Sequence, residues 1–184
     1  MWATILYRAA WYAERVGNGV AAEEMSVAAM KARRKLLGLE HEDTLWSMSL
    51  VGNVHNLRGQ WGAAESLFVQ VMETSKSKLG VHHPDTLTSM ANLASTFWNQ
   101  GRWEEAESLD VQVMETRKSK LGVDHPDTRT CMNNLAFTFK SKGDKGKAIG
   151  LMEECVRKQK YILGLDHPYT KGSEDTLNGW RMEG

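Results

Sequence analysis

The sequence has little of what would place a protein in a membrane, on nucleic acid or in a disulfide framework. Its only two cysteines, Cys131 and Cys155, are spaced for neither a metal site nor a disulfide scaffold. The 23 basic and 23 acidic side chains cancel, so net charge favours neither nucleic acid nor an anionic membrane. No apolar run approaches membrane-spanning length. The apolar start is interrupted by Arg8 and lacks a basic region before it, which fits a first helix better than a signal peptide. We expect no nucleic-acid or membrane partner and a cytoplasmic setting.

Proline is also scarce, and its three occurrences are regularly spaced. Pro84, Pro126 and Pro168 lie 42 residues apart. Each follows a histidine and precedes a threonine by two positions, and a variant of this box with Glu42 in place of proline lies one period earlier. Self-similarity at such a period indicates a repeat architecture, a solenoid or a propeller. Repeat folds are stacked surfaces, which favours recognition over catalysis in an enclosed pocket.

The period divides the chain into four units without a gap. The predicted units are 1–42, 43–84, 85–126 and 127–168, and residues 169–184 form an incomplete fifth unit or a capping tail. Residues 61–86 and 103–128 are identical at 21 of 26 positions, which suggests duplication. Beyond Thr170 the pattern is lost, and we expect a frayed tail or one short helix. Because no segment caps the first unit, we expect either a longer array or self-association through the uncapped ends.

Apolar residues within a unit recur at helical spacing, in two runs. In the third unit the first run ends before Gly101 and the second before Gly122. The apolar positions are Met90, Leu93, Ala94 and Phe97 in the first run, and Ala106, Leu109, Val113, Met114 and Leu121 in the second. Pro126 then stands where the next helix begins, since the first turn does not need its N–H. Each unit is therefore predicted to be two antiparallel helices, A and B.

The spacing of small and large residues distinguishes between kinds of repeat. Apolar and polar residues do not alternate with a period of two in any unit, which excludes propeller blades. The first apolar run, together with Trp103 and Ala106, matches the tetratricopeptide signature rather than that of HEAT repeats. The unit is about eight residues longer than the usual 34 or so, which predicts a longer helix B and loop. This longer form resembles the repeats of kinesin light chains, of nephrocystin-like proteins and of fungal NLR-type receptor tails. The resemblance implies an all-α, right-handed α-solenoid of antiparallel helix pairs, with helix A on the concave side.

No constellation of side chains supports catalysis or metal binding. The box histidines occur once per unit, so they lie roughly 10 Å apart in stacked units, too far to share a metal ion. We predict that they close the turns between units, and that Cys155 is a small core residue. Neither a phosphate-binding loop nor a nucleophile motif is present. We therefore predict no enzyme activity, no catalytic residue, no metal and no cofactor.

The face of helix A opposite the core is the candidate binding surface. The predicted peptide-binding groove consists of Tyr7, Trp11, Trp46, Asn53, Asn92, Ser95, Asn99, Asn133, Asn134 and Phe137. Asparagine amides both donate to and accept from a peptide backbone, and aromatic side chains anchor a ligand. The resemblance to kinesin light chains implies an asparagine ladder, which Asn92 and Asn134 match and Arg8 and Leu50 do not. An asparagine network that only solvates the concave wall is the alternative.

The sequence thus predicts a non-catalytic module that binds a peptide or protein in the groove lined by the A helices. Arg8 and Arg15 at one end predict an acidic residue in the ligand. The alternative is that the repeats form the ligand-sensing or self-assembly segment of a larger multidomain receptor.

Overall fold

The computed structural model describes residues 2–183, and this part of the chain is helical almost throughout. Its nine α-helices are α1 (Trp2–Arg15), α2 (Gly19–Leu37), α3 (Glu42–Leu57), α4 (Trp61–Leu79), α5 (Pro84–Asn99), α6 (Trp103–Leu121), α7 (Pro126–Lys142), α8 (Lys145–Leu163) and α9 (Pro168–Met182). No strand occurs between residues 2 and 183. The B helices α2, α4, α6 and α8 each have 19 residues, so the additional length of the repeat lies in helix B. Met1 and Gly184, the outer limits of the predicted first unit and tail, lie outside the described residues.

The helices form two compact bodies. The first contains α1 to α5 and ends at Gln100, and the second begins at Gly101 and contains α6 to α9. In the first body each helix packs on the next, and α3 also contacts both α1 and α5. In the second body α7 packs between α6 and α8, and α8 packs on α9. The boundary between the two bodies falls in the A–B turn of the predicted unit 85–126 rather than between two units. The division of the sequence into four units remains a prediction.

Histidine caps begin four of the A helices. His41, His83, His125 and His167 are the N-cap residues of α3, α5, α7 and α9. In each, Nδ1 accepts a hydrogen bond from the backbone N–H two residues later, at 3.2 Å. Two of the box threonines close the preceding loops, since Thr86 Oγ1 donates to the carbonyl of Gly80 and Thr128 Oγ1 to that of Gly122, each at 2.9 Å. The prediction that these histidines close the turns is confirmed.

Glycine ends every half-repeat. The eight glycines with positive φ, between 73° and 91°, are Gly17, Gly38, Gly59, Gly80, Gly101, Gly122, Gly143 and Gly164. They are spaced 21 residues apart, half the repeat. Residues with a Cβ seldom adopt this conformation, which is why the sequence repeats glycine at each helix end.

Small residues occupy buried positions on both kinds of helix. Ala94 and Ala136, which the tetratricopeptide signature marks, are fully buried, as are Ala106 and Ala148 of the B helices. One predicted core residue is misplaced, because Leu121 is 45% exposed. Leu121 is the last residue of α6, eight residues after Val113, the last buried residue of that helix.

Helix α9 replaces the frayed tail that is one of the two alternatives for the end of the chain. It continues to Met182 despite Gly172 and Gly179. Leu177 and Trp180 are buried in a cluster that includes Met152, Cys155 and Val156 of α8. Apolar side chains three residues apart thus fix α9 on α8, whereas Ile162 near the end of α8 is 40% exposed.

Candidate functional site

The first body contains an open pocket of about 740 Å³ along its A helices. The residues of the predicted groove that line it are Tyr7, Trp11, Trp46, Asn53 and Asn92, from α1, α3 and α5. Helix α4 adds Val71, Ser75, Lys78 and Leu79. Trp11 and Trp46 remain 47% and 43% exposed, so two large indole surfaces are accessible to a ligand.

The charge around this first pocket differs from the expectation. The predicted acidic preference rests on Arg8 and Arg15, but Arg8 is not among the lining residues. The guanidinium of Arg15 stacks on Trp11, 4.8 Å from the ring centroid. The carboxylates that line the pocket are Glu14, Glu40, Glu42 and Asp85. They outnumber Arg15 and Lys78, and Lys78 is paired with Glu40 at 2.9 Å.

Partial burial shifts two titrating groups of the first pocket. It raises the pKa of the Glu14 carboxyl, and the nearby Arg15 opposes this. Burial also raises the pKa of Tyr7, whose ring lies 4.6 Å from the Arg33 guanidinium carbon. The phenol therefore stays protonated and can donate a hydrogen bond.

The second body contains a pocket of about 680 Å³ between α7 and α9, with Gln159 and Leu163 of α8 contributing to its wall. Asn133 and Phe137 of the predicted groove line it. Phe137 meets Trp180 edge-on, with ring centroids 5.1 Å apart. The described lining contains no aspartate or glutamate. The three remaining predicted groove residues, Ser95, Asn99 and Asn134, line neither this pocket nor the first.

Sequence reasoning missed two polar residues that line the second pocket. Arg129 is only 7% exposed, and its Nε has no hydrogen-bond partner among the described residues. Gln159 is 8% exposed, and its Oε1 likewise has no partner there. A signal was present for Arg129, because Leu45 and Leu87 occupy the corresponding buried positions of the preceding repeats. An arginine at a leucine position of a repeat breaks the apolar pattern of the helix.

Sequence reasoning also missed a buried carboxyl in α6. Asp110 lies where the neighbouring repeats have Phe68 and Met152, both in the core. Thr138 Oγ1 of α7 donates to Asp110 Oδ2 at 2.9 Å. Burial raises the pKa of Asp110 to about 6, and the threonine hydrogen bond opposes the rise. Asp110 lines neither pocket, so it belongs to the core.

The cysteines are buried and free, as expected of core residues. Burial raises the pKa of Cys155 to about 11 and also raises that of Cys131. Neither thiol is thus activated as a nucleophile. Within residues 2–183, no three His, Cys, Asp or Glu side chains are grouped so as to hold a metal ion. None of the described helices combines the length and apolarity needed to cross a membrane.

Comparison with known sequences decides the family. A model of the tetratricopeptide repeat matches residues 3–77, 51–119 and 85–160. The chain belongs to the tetratricopeptide repeat family. This confirms what the spacing of small and large residues in helix A predicts. A search of curated proteins found no match to the sequence.

Solved structures confirm the tetratricopeptide fold class. The Podospora anserina putative kinesin light chain with nearly identical TPR-like repeats is 26% identical with a TM-score of 0.80, over 98% of this chain and 88% of that one. BtubC (BKLC) from P. vanneervenii is 17% identical with a TM-score of 0.72, over 95% and 77%. The apo form of RapI is 12% identical with a TM-score of 0.73, over 86% and 56%. The last two likenesses show the fold alone, and together the comparisons confirm the all-α, kinesin light chain-like solenoid class.

Proposed function

We propose that this tetratricopeptide protein is a non-catalytic interaction module that holds an extended peptide or protein segment against its A helices. Tetratricopeptide repeats are generally protein–protein interaction modules, and scaffolds of this kind are typically non-enzymatic. The observation that carries the proposal is the first pocket, where exposed Trp11 and Trp46 lie with Asn53 and Asn92. Two buried, free thiols are compatible with the reducing cytoplasmic setting that we propose.

The lining of the first pocket suits a peptide chain. The two indole surfaces accept apolar side chains, and the amides of Asn53 and Asn92 pair with backbone N–H and C=O groups. Ordering a flexible peptide offsets much of this contact energy, so we expect an affinity in the micromolar range, about −8 kcal/mol. The surplus of carboxylates favours a segment without acidic residues at this pocket. A ligand with an acidic residue would suit the second pocket, which Arg129 lines.

A peptide array tests this function with no partner chosen in advance. Random twelve-residue peptides are probed with the wild-type protein, with Trp46→Ala and with the double variant Asn53→Ala, Asn92→Ala. We expect a selected class with apolar anchors, and loss of its binding in both variants at a nearly unchanged melting temperature. Trp61→Ala is the matched control, since Trp61 is similarly exposed but does not line the first pocket. Normal binding by the double variant and by Trp46→Ala would exclude this groove.

A second function, self-assembly as part of a larger receptor, is favoured by one face of α1. Trp2, Ile5, Tyr12 and Val16 are all exposed and follow helical spacing on this helix and its end. An exposed apolar face of this kind suits association with a second copy of the chain. Light scattering tests it: Trp2→Ser with Tyr12→Ser converts an oligomer into a monomer if this face mediates assembly. A wild-type monomer at high concentration rules it out.

A further inference from the structure

Arg129 is a buried charge without a charged partner among residues 2–183. Its residue is only 7% exposed, its Nε is unpartnered, and no ion pair joins it to a carboxylate within residues 2–183. Arginine is seldom buried to this degree unless it is paired, because removing an ionised group from water is costly. A buried guanidinium that lines a pocket without acidic residues is therefore suited to an anion that the described residues do not supply.

Arg33 of the same protein shows how a buried arginine is satisfied. It is 5% exposed, and its Nη1 donates to the Asp43 carbonyl at 3.0 Å and to Ser47 Oγ at 2.9 Å. Its Nη2 lies 3.7 Å from Asp43 Oδ1. Arg33 thus has a carboxylate, a carbonyl and a hydroxyl as partners. Arg129 has none of these from the described residues, although it is equally buried.

We propose that the second pocket is a carboxylate-binding site with the Arg129 guanidinium as its anchor. The planar guanidinium binds the two oxygens of a carboxylate through parallel hydrogen bonds. The side-chain NH2 group of Gln159 and the hydroxyl of Ser173 can donate to the carboxylate from the same lining, whereas the Thr130 hydroxyl already donates to the carbonyl of Pro126 at 3.1 Å. Phe137, held against Trp180, gives an apolar wall for the carbon atoms beside the carboxylate. The inference rests on the proposed function only in taking the A-helix face as a binding surface.

Two sources can supply the carboxylate: an aspartate or glutamate side chain, or the C-terminus of a peptide. Three short peptides separate them. The first is acetyl-Ala-Ala-Glu-Ala-Ala-amide, the second is its Gln counterpart, and the third is acetyl-Ala-Ala-Ala-Ala-Ala with a free C-terminus. Each is titrated into the full chain in buffer free of acetate and phosphate, and the side-chain Nε–H resonance of Arg129 is followed by NMR. We expect the Glu peptide, the free-terminus peptide or both to shift this resonance, with Kd on the order of 1 mM and at least tenfold tighter than the Gln peptide.

Arg129→Leu is the decisive variant, because it restores the leucine of the corresponding positions 45 and 87. We expect it to abolish discrimination between charged and neutral peptides, measured on the backbone amides around the pocket. We also expect a higher melting temperature without peptide, since an unpaired buried charge has been removed. If Arg129→Leu does not fold, Arg129→Lys is used instead. We expect it to bind the carboxylate peptides at least severalfold more weakly than the wild type, because lysine lacks the planar pair of donors of the guanidinium. Equal binding of Glu, Gln and free-terminus peptides by the wild type, or unchanged discrimination in the variant, overturns the proposal.

The test also separates this site from the peptide-binding function. Asn53→Ala with Asn92→Ala leaves the lining of the second pocket intact, so this variant should bind the carboxylate peptides normally. If the wild-type protein selects no peptide on the array but carboxylate peptides shift its Arg129 resonance, the proposed function is wrong and the carboxylate site stands. If the protein binds peptides on the array but no carboxylate peptide shifts the Arg129 resonance, the proposed function stands and the carboxylate site is wrong.

Discussion

The ring of Phe68 fills the space that a side chain at Gly52 would need. A Cβ built on Gly52 of α3 would lie 2.7 Å from Phe68 Cζ of α4, and two further ring atoms would lie within 3.0 Å. The corresponding A-helix residues of the other repeats are alanines, including Ala94 and Ala136. The corresponding B-helix residues are smaller or unbranched, with Met152 in the fourth repeat. The glycine and the phenylalanine therefore compensate each other in size.

This pairing makes a substitution toward the repeat consensus destabilising. Gly52→Ala gains about 1 kcal/mol of helix propensity but overpacks against a rigid ring at about 1–3 kcal/mol, so we expect a net loss near 1 kcal/mol. In the background of Phe68→Met the same change should stabilise, because the ring is gone. Urea unfolding of the four proteins in a double-mutant cycle measures this coupling. A Gly52→Ala protein more stable than the wild type would contradict the argument.

The histidine caps should contribute measurably to stability. His83→Ala removes the acceptor for the Asp85 N–H at the start of α5, and we expect a loss of about 1 kcal/mol in the free energy of unfolding. His83→Asn should retain most of the stability, since asparagine is among the strongest N-cap residues. His82→Ala is the neighbouring control at an exposed position and should change little. Equal effects at positions 82 and 83 would show that the cap bond is unimportant.

Asp110 should make stability depend on pH between about 4 and 6. Its pKa is raised to about 6 by burial, so the native state binds this proton more tightly than the unfolded state. The free energy of unfolding should therefore decrease as pH rises through this window, by about 3 kcal/mol at most. The free energy of unfolding of Asp110→Asn should not show this decrease with pH. Thr138→Val should extend it to higher pH, because the lost hydrogen bond stabilises the ionised form. A parallel pH profile for Asp110→Asn and the wild type would refute this role.

Both cysteines should resist alkylation in the native state. Burial raises the pKa of Cys155 to about 11 and shifts that of Cys131 in the same direction, and neither thiol is exposed. Iodoacetamide at pH 8 should modify them only as fast as the protein opens, and both should react at once in denaturing urea. Mass spectrometry of timed samples measures the rates. Rapid native modification of either cysteine would mean that the packing around α7 and α8 is looser than described.

The parts of the candidate site that could be predicted are those set by position within the repeat. Helical spacing places Tyr7, Trp11, Trp46, Asn53 and Asn92 on the A-helix face, and they line one pocket. Whether they bind a ligand remains a prediction. Arg129 and Asp110 were missed, because a charge on a buried helix face breaks the periodic pattern from which burial is inferred. Their surroundings come from helices that are distant in sequence.

The sequence by itself determined the helix pairs, their ends and the family. Helix caps, glycine ends and apolar spacing act between residues a few positions apart, so the His83 box and Gly101 specify their turns wherever they occur. Only the tertiary structure decided which side chains share a pocket, that α9 packs on α8 through Trp180, and that the buried Nε of Arg129 has no partner among the described residues. Those features depend on side chains brought together from different helices. A local sequence pattern does not show how far a polar side chain is removed from water or which groups hydrogen-bond to it.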